Sequence, residues 1–147
     1  MISQITPFLF QGSFKDATEN LARTYRDYDV LVFCAEELQP PPHEVPANKT
    51  RIRIPFDDTH QIEKLPLRDI MKVAGVCAHA INHQRRVLST CAMGLNRSGL
   101  VSALTLIAAY GLSPKDAVQL LQQKRPHALM NQHFVQVVYA SAMKRSA

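Results

Sequence analysis

Residues 87–103 read VLSTCAMGLNRSGLVSA, and three local signals follow one another in them. A β-prone run, Val87-Leu88-Ser89-Thr90, stops abruptly. Cys91-Ala92-Met93-Gly94-Leu95-Asn96-Arg97 then forms a loop with one sulfur nucleophile and, six positions later, one arginine. Ser98-Gly99 opens an apolar helical run that continues to Tyr110. Strand, loop and helix N-terminus in succession make an anion site, because free backbone N–H groups and the positive end of the helix converge on one point. A helix N-terminus and a nearby cation also favour the thiolate form of a cysteine. The planar guanidinium fork of arginine suits phosphate oxygens. A phosphate held beside a thiolate points to attack of sulfur on phosphorus.

The whole chain is consistent with one domain, residues 1–147. It has 46% hydrophobic and 20% charged residues, enough to bury a sizeable core and unlike a disordered segment. No apolar run reaches the length of a membrane span, and MISQITPFLFQGS lacks a basic start and a cleavage site, so no membrane partner is expected. Cys34, Cys77 and Cys91 cannot all pair within the chain and lack metal-type spacing, which favours a reducing, cytoplasmic setting. The net charge of +5 suits an anionic partner, phosphoprotein or RNA alike.

Outward from the central stretch, the elements alternate as in an α/β domain: a central, mostly parallel sheet of four to five strands flanked by helices. Residues 6–11 (TPFLFQ) form a short strand, with Gly12-Ser13 as turn and cap. Residues 15–28 place Ala17, Leu21, Ala22 and Tyr25 on one face of a helix. The continuous apolar run 30–34 is a strand covered on both sides, with Cys34 in the core. Residues 39–50, with four prolines, are a surface connection. RIRIPF, residues 51–56, alternates as a half-buried strand does, and Asp57-Asp58-Thr59-His60 follow on a loop, where catalytic side chains are often carried. Residues 65–86 form the longest helix, striped by Ile70, Val73, Cys77 and Ile81, with Pro66 in its first turn. His79 and His83 lie one turn apart and read as a solvated face, because a metal site needs three or four ligands. Gly111 ends the next helix. Ser113-Pro114-Lys115-Asp116 starts another that stops at Arg125-Pro126. Residues 131–143 form the last, with Phe134, Val138 and Ala142 on one side.

With glycine three residues after Cys91 and serine after Arg97, the central stretch resembles the signature of cysteine-based protein phosphatases, and most closely the small dual-specificity group. The likeness spans residues from about 5 to 140. It includes the opening around residues 9–13, similar to a Leu-Tyr-Leu-Gly-Ser pattern, and the closing segment from Arg125-Pro126 to Asn131 and Phe134. The resemblance implies a tyrosine-phosphatase-like fold and a two-step hydrolysis through a cysteinyl-phosphate, without metal or organic cofactor. Cys91 would be the nucleophile and Arg97 the phosphate clamp. Asp58, 33 positions ahead of Cys91, would be the general acid in preference to Asp57. Ser98 would ease departure of the thiolate. Ala92, Met93, Gly94, Leu95, Asn96 and Arg97 would form the phosphate-binding loop.

Two departures stand out. Thr90 occupies the position before the cysteine where the family usually has a loop-orienting histidine, and its hydroxyl could replace part of that role. Asn96 is similar to the loop of RNA 5′-triphosphatases, which makes an RNA or nucleotide phosphatase the alternative. The expected substrate is a phosphoprotein or phosphopeptide carrying phosphotyrosine, phosphoserine or phosphothreonine; a non-catalytic phosphate-binding module ranks third.

Overall fold

The computed structural model describes residues 1–146, with side chains described as far as residue 141. Five strands form one sheet: β1 (Ser3–Gln4), β2 (Leu9–Ser13), β3 (Val30–Ala35), β4 (Thr50–Phe56) and β5 (Val87–Cys91). Their order is β1-β2-β5-β3-β4, antiparallel between β1 and β2 and parallel throughout the rest. The predicted mostly parallel sheet is therefore observed, with β1 added as a short edge that the sequence pattern does not announce. β5 lies in the middle, pairing Ser13 with Cys91 on one side and Phe33 with Thr90 on the other.

Every residue of β3 and β5 is buried, as continuous apolar runs in a doubly covered parallel sheet require. One face carries Val30, Val32, Cys34, Val87 and Cys91, packed against α3 (Leu67–Asn82), α4 (Arg97–Tyr110), α5 (Pro114–Lys124) and α6 (Gln132–Ser146). The other face presents Leu31, Phe33 and Leu88 to α1 (Phe14–Thr18) and α2 (Leu21–Asp27). Residues 97–107 of α4 are all buried, so this helix is wrapped by its neighbours rather than amphipathic. Gly111 closes it in the left-handed conformation, φ 67°. β4 is the outer edge, burying Ile54 and Phe56 while Arg53 and Pro55 face out, a position that tolerates proline. Adjacent parallel strands need a long crossover; between β3 and β4 it is the proline-rich coil of residues 36–49. The coil is tied down by Gln39 Nε2 on the carbonyls of Phe33 and Ala35 (3.1 and 2.8 Å) and by Tyr25 Oη against His43 Nε2 (2.7 Å).

Two helix expectations are corrected. The helix over 15–28 is two helices, because Asn20 leaves helical geometry and its side chain caps the N–H of Arg23 at 3.2 Å. The break resets the buried face: Ala17, Thr24 and Tyr25 are buried and Ala22 is exposed. The helix over 65–86 stops at Asn82, with His83 as its cap and Gln84 at φ 60°, and Pro66 precedes its first turn. Of the last helix's proposed face, Phe134 and Val138 are buried; Ala142 lies outside the described side chains. No helix among the described residues is long and apolar enough to cross a membrane.

Candidate active site

The site lies at the carboxyl ends of the parallel strands, where open α/β sheets bind ligands. Chain direction puts Cys91 at the end of the central strand and Arg97 at the start of α4, with residues 92–96 arched between them. Cys91 is 4% exposed, and its Sγ lies 3.2 Å from Ser98 Oγ, which is fully buried.

The arch is held from outside through its carbonyls. Arg125 donates Nη2 to Met93 O (3.2 Å) and Nε to Gly94 O (2.6 Å). Gln11 donates Nε2 to Gly94 O (2.9 Å), and the Leu129 N–H reaches Leu95 O at 3.1 Å. In a trans peptide the N–H points opposite the carbonyl. Carbonyls of residues 93–95 turned outward therefore turn the N–H groups of Gly94, Leu95 and Asn96 inward, and an anion-binding concavity results. Gly94 permits the curl. It sits at φ 70°, and a Cβ there would lie 2.3 Å from Gly12 O.

Gln11 is an uncharged polar residue with no exposed surface; it accepts from Ser102 Oγ at 2.5 Å while bracing the loop. Arg125 also reaches Met1 O (2.8 Å), Ser3 Oγ (2.9 Å) and Gln11 O (3.3 Å), which joins β1 and β2 to the loop.

Arg97 is almost buried, and three of its five N–H groups have partners among the described residues. Glu37 takes one from Nη1 and one from Nη2 (2.7 Å for the latter), end-on, and Phe56 O accepts from Nη1 at 3.3 Å. The edge formed by Nε and the remaining Nη2 proton has no partner among the described residues. The Arg97 hydrogen bonds bring the Glu37 carboxyl down from its ordinary 4.5 to about 2.

Both aspartates are exposed, but they differ in what they touch. Asp58 accepts from Asn96 Nδ2 on one oxygen (2.9 Å) and from Asn131 Nδ2 on the other (2.8 Å), whereas Asp57 has no side-chain hydrogen bond among the described residues. Thr90 departs from expectation. Its hydroxyl donates to Val32 O at 2.7 Å, inside the sheet, so it does not orient the loop; Gln11, Arg125 and Leu129 take that part. Cys34 and Cys77 are core residues in which burial pushes the thiols up, Cys77 to about 12. The rings of His79, late in α3, and of His83, its cap, lie tilted with centroids 4.2 Å apart, and His83 Nδ1 sits against the His79 carbonyl oxygen.

Sequence reasoning missed Gln11 and Glu37 as parts of this site, and read Arg125 and Asn131 as helix boundaries and as parts of a family-like closing segment, with no role in the site. The available signal was a glutamine ending an otherwise apolar strand. Glu37 follows Glu36 in a loop and looks like any solvated charge.

No curated protein matches the chain in sequence. Its backbone is similar to that of solved phosphatases and phosphatase-like proteins: a single-site variant of human DUSP28 superposes with a TM-score of 0.79 at 25% identity, covering 99% of this chain and 98% of that one. The human tyrosine phosphatase-like serine/threonine/tyrosine-interacting protein gives 0.82 at 17% identity, covering 99% and 98%. OH1 from the Orf virus, described as a tyrosine phosphatase with triple substrate specificity, gives 0.71 at 22%, covering 95% and 85%. The family model for the dual specificity phosphatase catalytic domain matches residues 9–143. That span takes in strands β2 to β5, the arched loop and all but the last residues of α6, and the chain belongs to the dual specificity phosphatase family of hydrolases.

Proposed function

We propose that residues 1–147 are one catalytic domain that hydrolyses phosphotyrosine and phosphoserine or phosphothreonine through a cysteinyl-phosphate. The Cys91 thiolate attacks phosphorus while the free Arg97 edge and the inward N–H groups of the loop meet the spreading negative charge. The bond to the leaving oxygen breaks as Asp58 supplies its proton. Water then attacks phosphorus and gives a proton to Asp58. The P–S bond breaks, and Ser98 Oγ, 3.2 Å away, donates to the departing sulfur. This sequence requires neither metal nor organic cofactor, and three free cysteines suit a reducing, cytoplasmic setting.

One observation carries the reading: a cysteine at the end of the central strand is enclosed by a loop whose Met93, Gly94 and Leu95 carbonyls are tied outward. Cys91→Ser is expected to abolish turnover of an aryl phosphate while phosphate still binds, because serine is un-ionised near neutral pH and a far poorer nucleophile. Asp58→Asn is expected to cost roughly a hundredfold or more, the scale of general acid–base help, and Asp57→Asn much less. Comparable turnover by the serine variant, or a larger loss from Asp57→Asn, would reverse these assignments.

The net charge of +5 and Asn96 favour an RNA 5′-triphosphatase as the second reading. It ranks lower because an RNA end calls for a basic groove lined by aromatic rings. Phe10, Phe33, Phe56 and Phe134 are buried, and the Asn96 side chain is already engaged within the protein. Phosphopeptides and triphosphate-ended RNA, compared at matched concentration and physiological salt, decide between the two.

A further inference from the structure

Asn96 stands at the N-cap position of α4, where asparagine ordinarily offers its side-chain oxygen to the free N–H groups of the first turn, yet its side chain makes no capping bond. It is used elsewhere. Its Oδ1 accepts from the Asn131 backbone N–H at 3.1 Å, and its Nδ2 donates to Asp58 Oδ2 at 2.9 Å. Asn131 is oriented in the same way. Its Oδ1 accepts from the N–H groups of His133 and Phe134 (3.0 and 3.2 Å) at the start of α6. That leaves its Nδ2 to donate to Asp58 Oδ1 at 2.8 Å and to Thr59 O at 3.1 Å. A backbone N–H can only donate, so neither amide can flip without setting donor against donor. The Asp58 carboxylate is therefore held by two N–H donors of fixed direction. Asn131 and the His60–His133 ring contact (4.9 Å between centroids) attach the Asp58 loop to α6; Asn96 attaches Asp58 to the phosphate loop itself.

Resting on the reading of Asp58 as proton donor and acceptor, we propose that Asn96 is a positioning residue that ties Asp58 to the phosphate loop and so sets its carboxyl group against the leaving oxygen and, in the second step, the attacking water. Asp58 is an exposed residue on a connecting loop; untethered, it would spend only part of its time in a productive orientation, and that loss is kinetic. The Asp57 side chain has no such tether among the described residues.

The test compares wild type, Asn96→Ala, Asp58→Asn and the double variant on two substrates, a phosphotyrosine peptide and an aryl phosphate whose phenol is strongly acidic. Asn96→Ala is expected to lower turnover of the peptide on the order of tenfold, a fraction of what a full general acid supplies. On the activated ester, whose leaving group hardly needs a proton, the loss is expected to stay below about threefold. In the Asp58→Asn background, Asn96→Ala adds almost nothing, since the group it positions is already disabled. Inhibition by inorganic phosphate, unchanged within about twofold, reports that the loop is formed. Asn96→Ser supplies a helix-capping oxygen but cannot reach Asp58, and is expected to repeat the pattern. Equal losses on both substrates, or an undiminished loss on top of Asp58→Asn, overturn the proposal and leave Asn96 as a structural residue. Failure of the underlying reading looks different and takes the proposal with it: Asp58→Asn itself then shows no dependence on the leaving group.

Discussion

Glu37→Gln keeps the size of the side chain and removes its charge, and two opposing effects decide its outcome. With carboxylate in place, Arg97 is gripped end-on by both Glu37 oxygens and from one side by Phe56 O. A carboxamide has a single acceptor oxygen, and its NH2 would face a guanidinium N–H, donor against donor. One bond is lost and the other loses its charge assistance. Hydrogen bonds to charged groups contribute about 1.5–3 kcal/mol; because the Glu37 side chain is 55% exposed, water substitutes in part and the low end applies. Against this, an Arg97 freed of its counter-charge attracts phosphate more strongly. That gain stays below about 1 kcal/mol, since the carboxylate is screened at near-water dielectric. The net cost of about 1 kcal/mol predicts about a fivefold fall in kcat/KM. Steady-state kinetics on a phosphopeptide, with inorganic phosphate as competitor, measure it. A rise in kcat/KM together with tighter phosphate inhibition would refute the reasoning, because Glu37 would then be a plug that competes with substrate rather than a brace. The same pair has a pH signature. The folded-state value of Glu37 is depressed, so its stabilisation is full above the ordinary 4.5 and is lost as pH falls from there through about 2. The Tm difference between wild type and Glu37→Gln is therefore flat from about pH 5 upward and closes in acid.

Gln11→Leu leaves the buried Ser102 hydroxyl without its partner, and a loss of about 1–3 kcal/mol in chemical denaturation is expected. Adding Ser102→Ala removes the orphaned group as well, so the double variant should recover part of the loss; simple addition of two losses would contradict the network. Gly94→Ala forces a Cβ to within 2.3 Å of Gly12 O at a left-handed position, so the loop must shift. A misplacement near 1 Å costs about a hundredfold in turnover, and retention of wild-type kcat in that variant would mean that the loop does not need its observed curl.

The arched loop is readable because its parts are contiguous: a strand that stops, a cysteine, a glycine at the left-handed position, an arginine and a serine opening a helix. What supports the loop is not contiguous. Gln11 reaches Gly94 across 83 positions, Glu37 reaches Arg97 across 60, and Arg125 and Asn131 return from 31 and 35 positions downstream. Nothing local separates Glu37 from Glu36 beside it; only the burial of Arg97 against the β3–β4 coil does. Thr90 shows the reverse error. A hydroxyl next to the nucleophile looks available to the loop, but strand alternation turns Thr90 to the sheet face opposite Cys91, and its hydroxyl is satisfied by Val32 O of the adjacent strand.

The deeper reason follows from peptide geometry. A loop that turns consecutive N–H groups inward must turn the matching carbonyls outward, and in a packed setting each of those needs a donor. The existence of such donors is thus deducible from residues 91–97 alone. Their identity is not, because Arg125, Gln11 and the Leu129 amide are brought there by the order of strands and helices rather than by any sequence spacing. Gln11 is the one that pattern could have flagged, since a fully buried amide in an apolar strand must have something to hold.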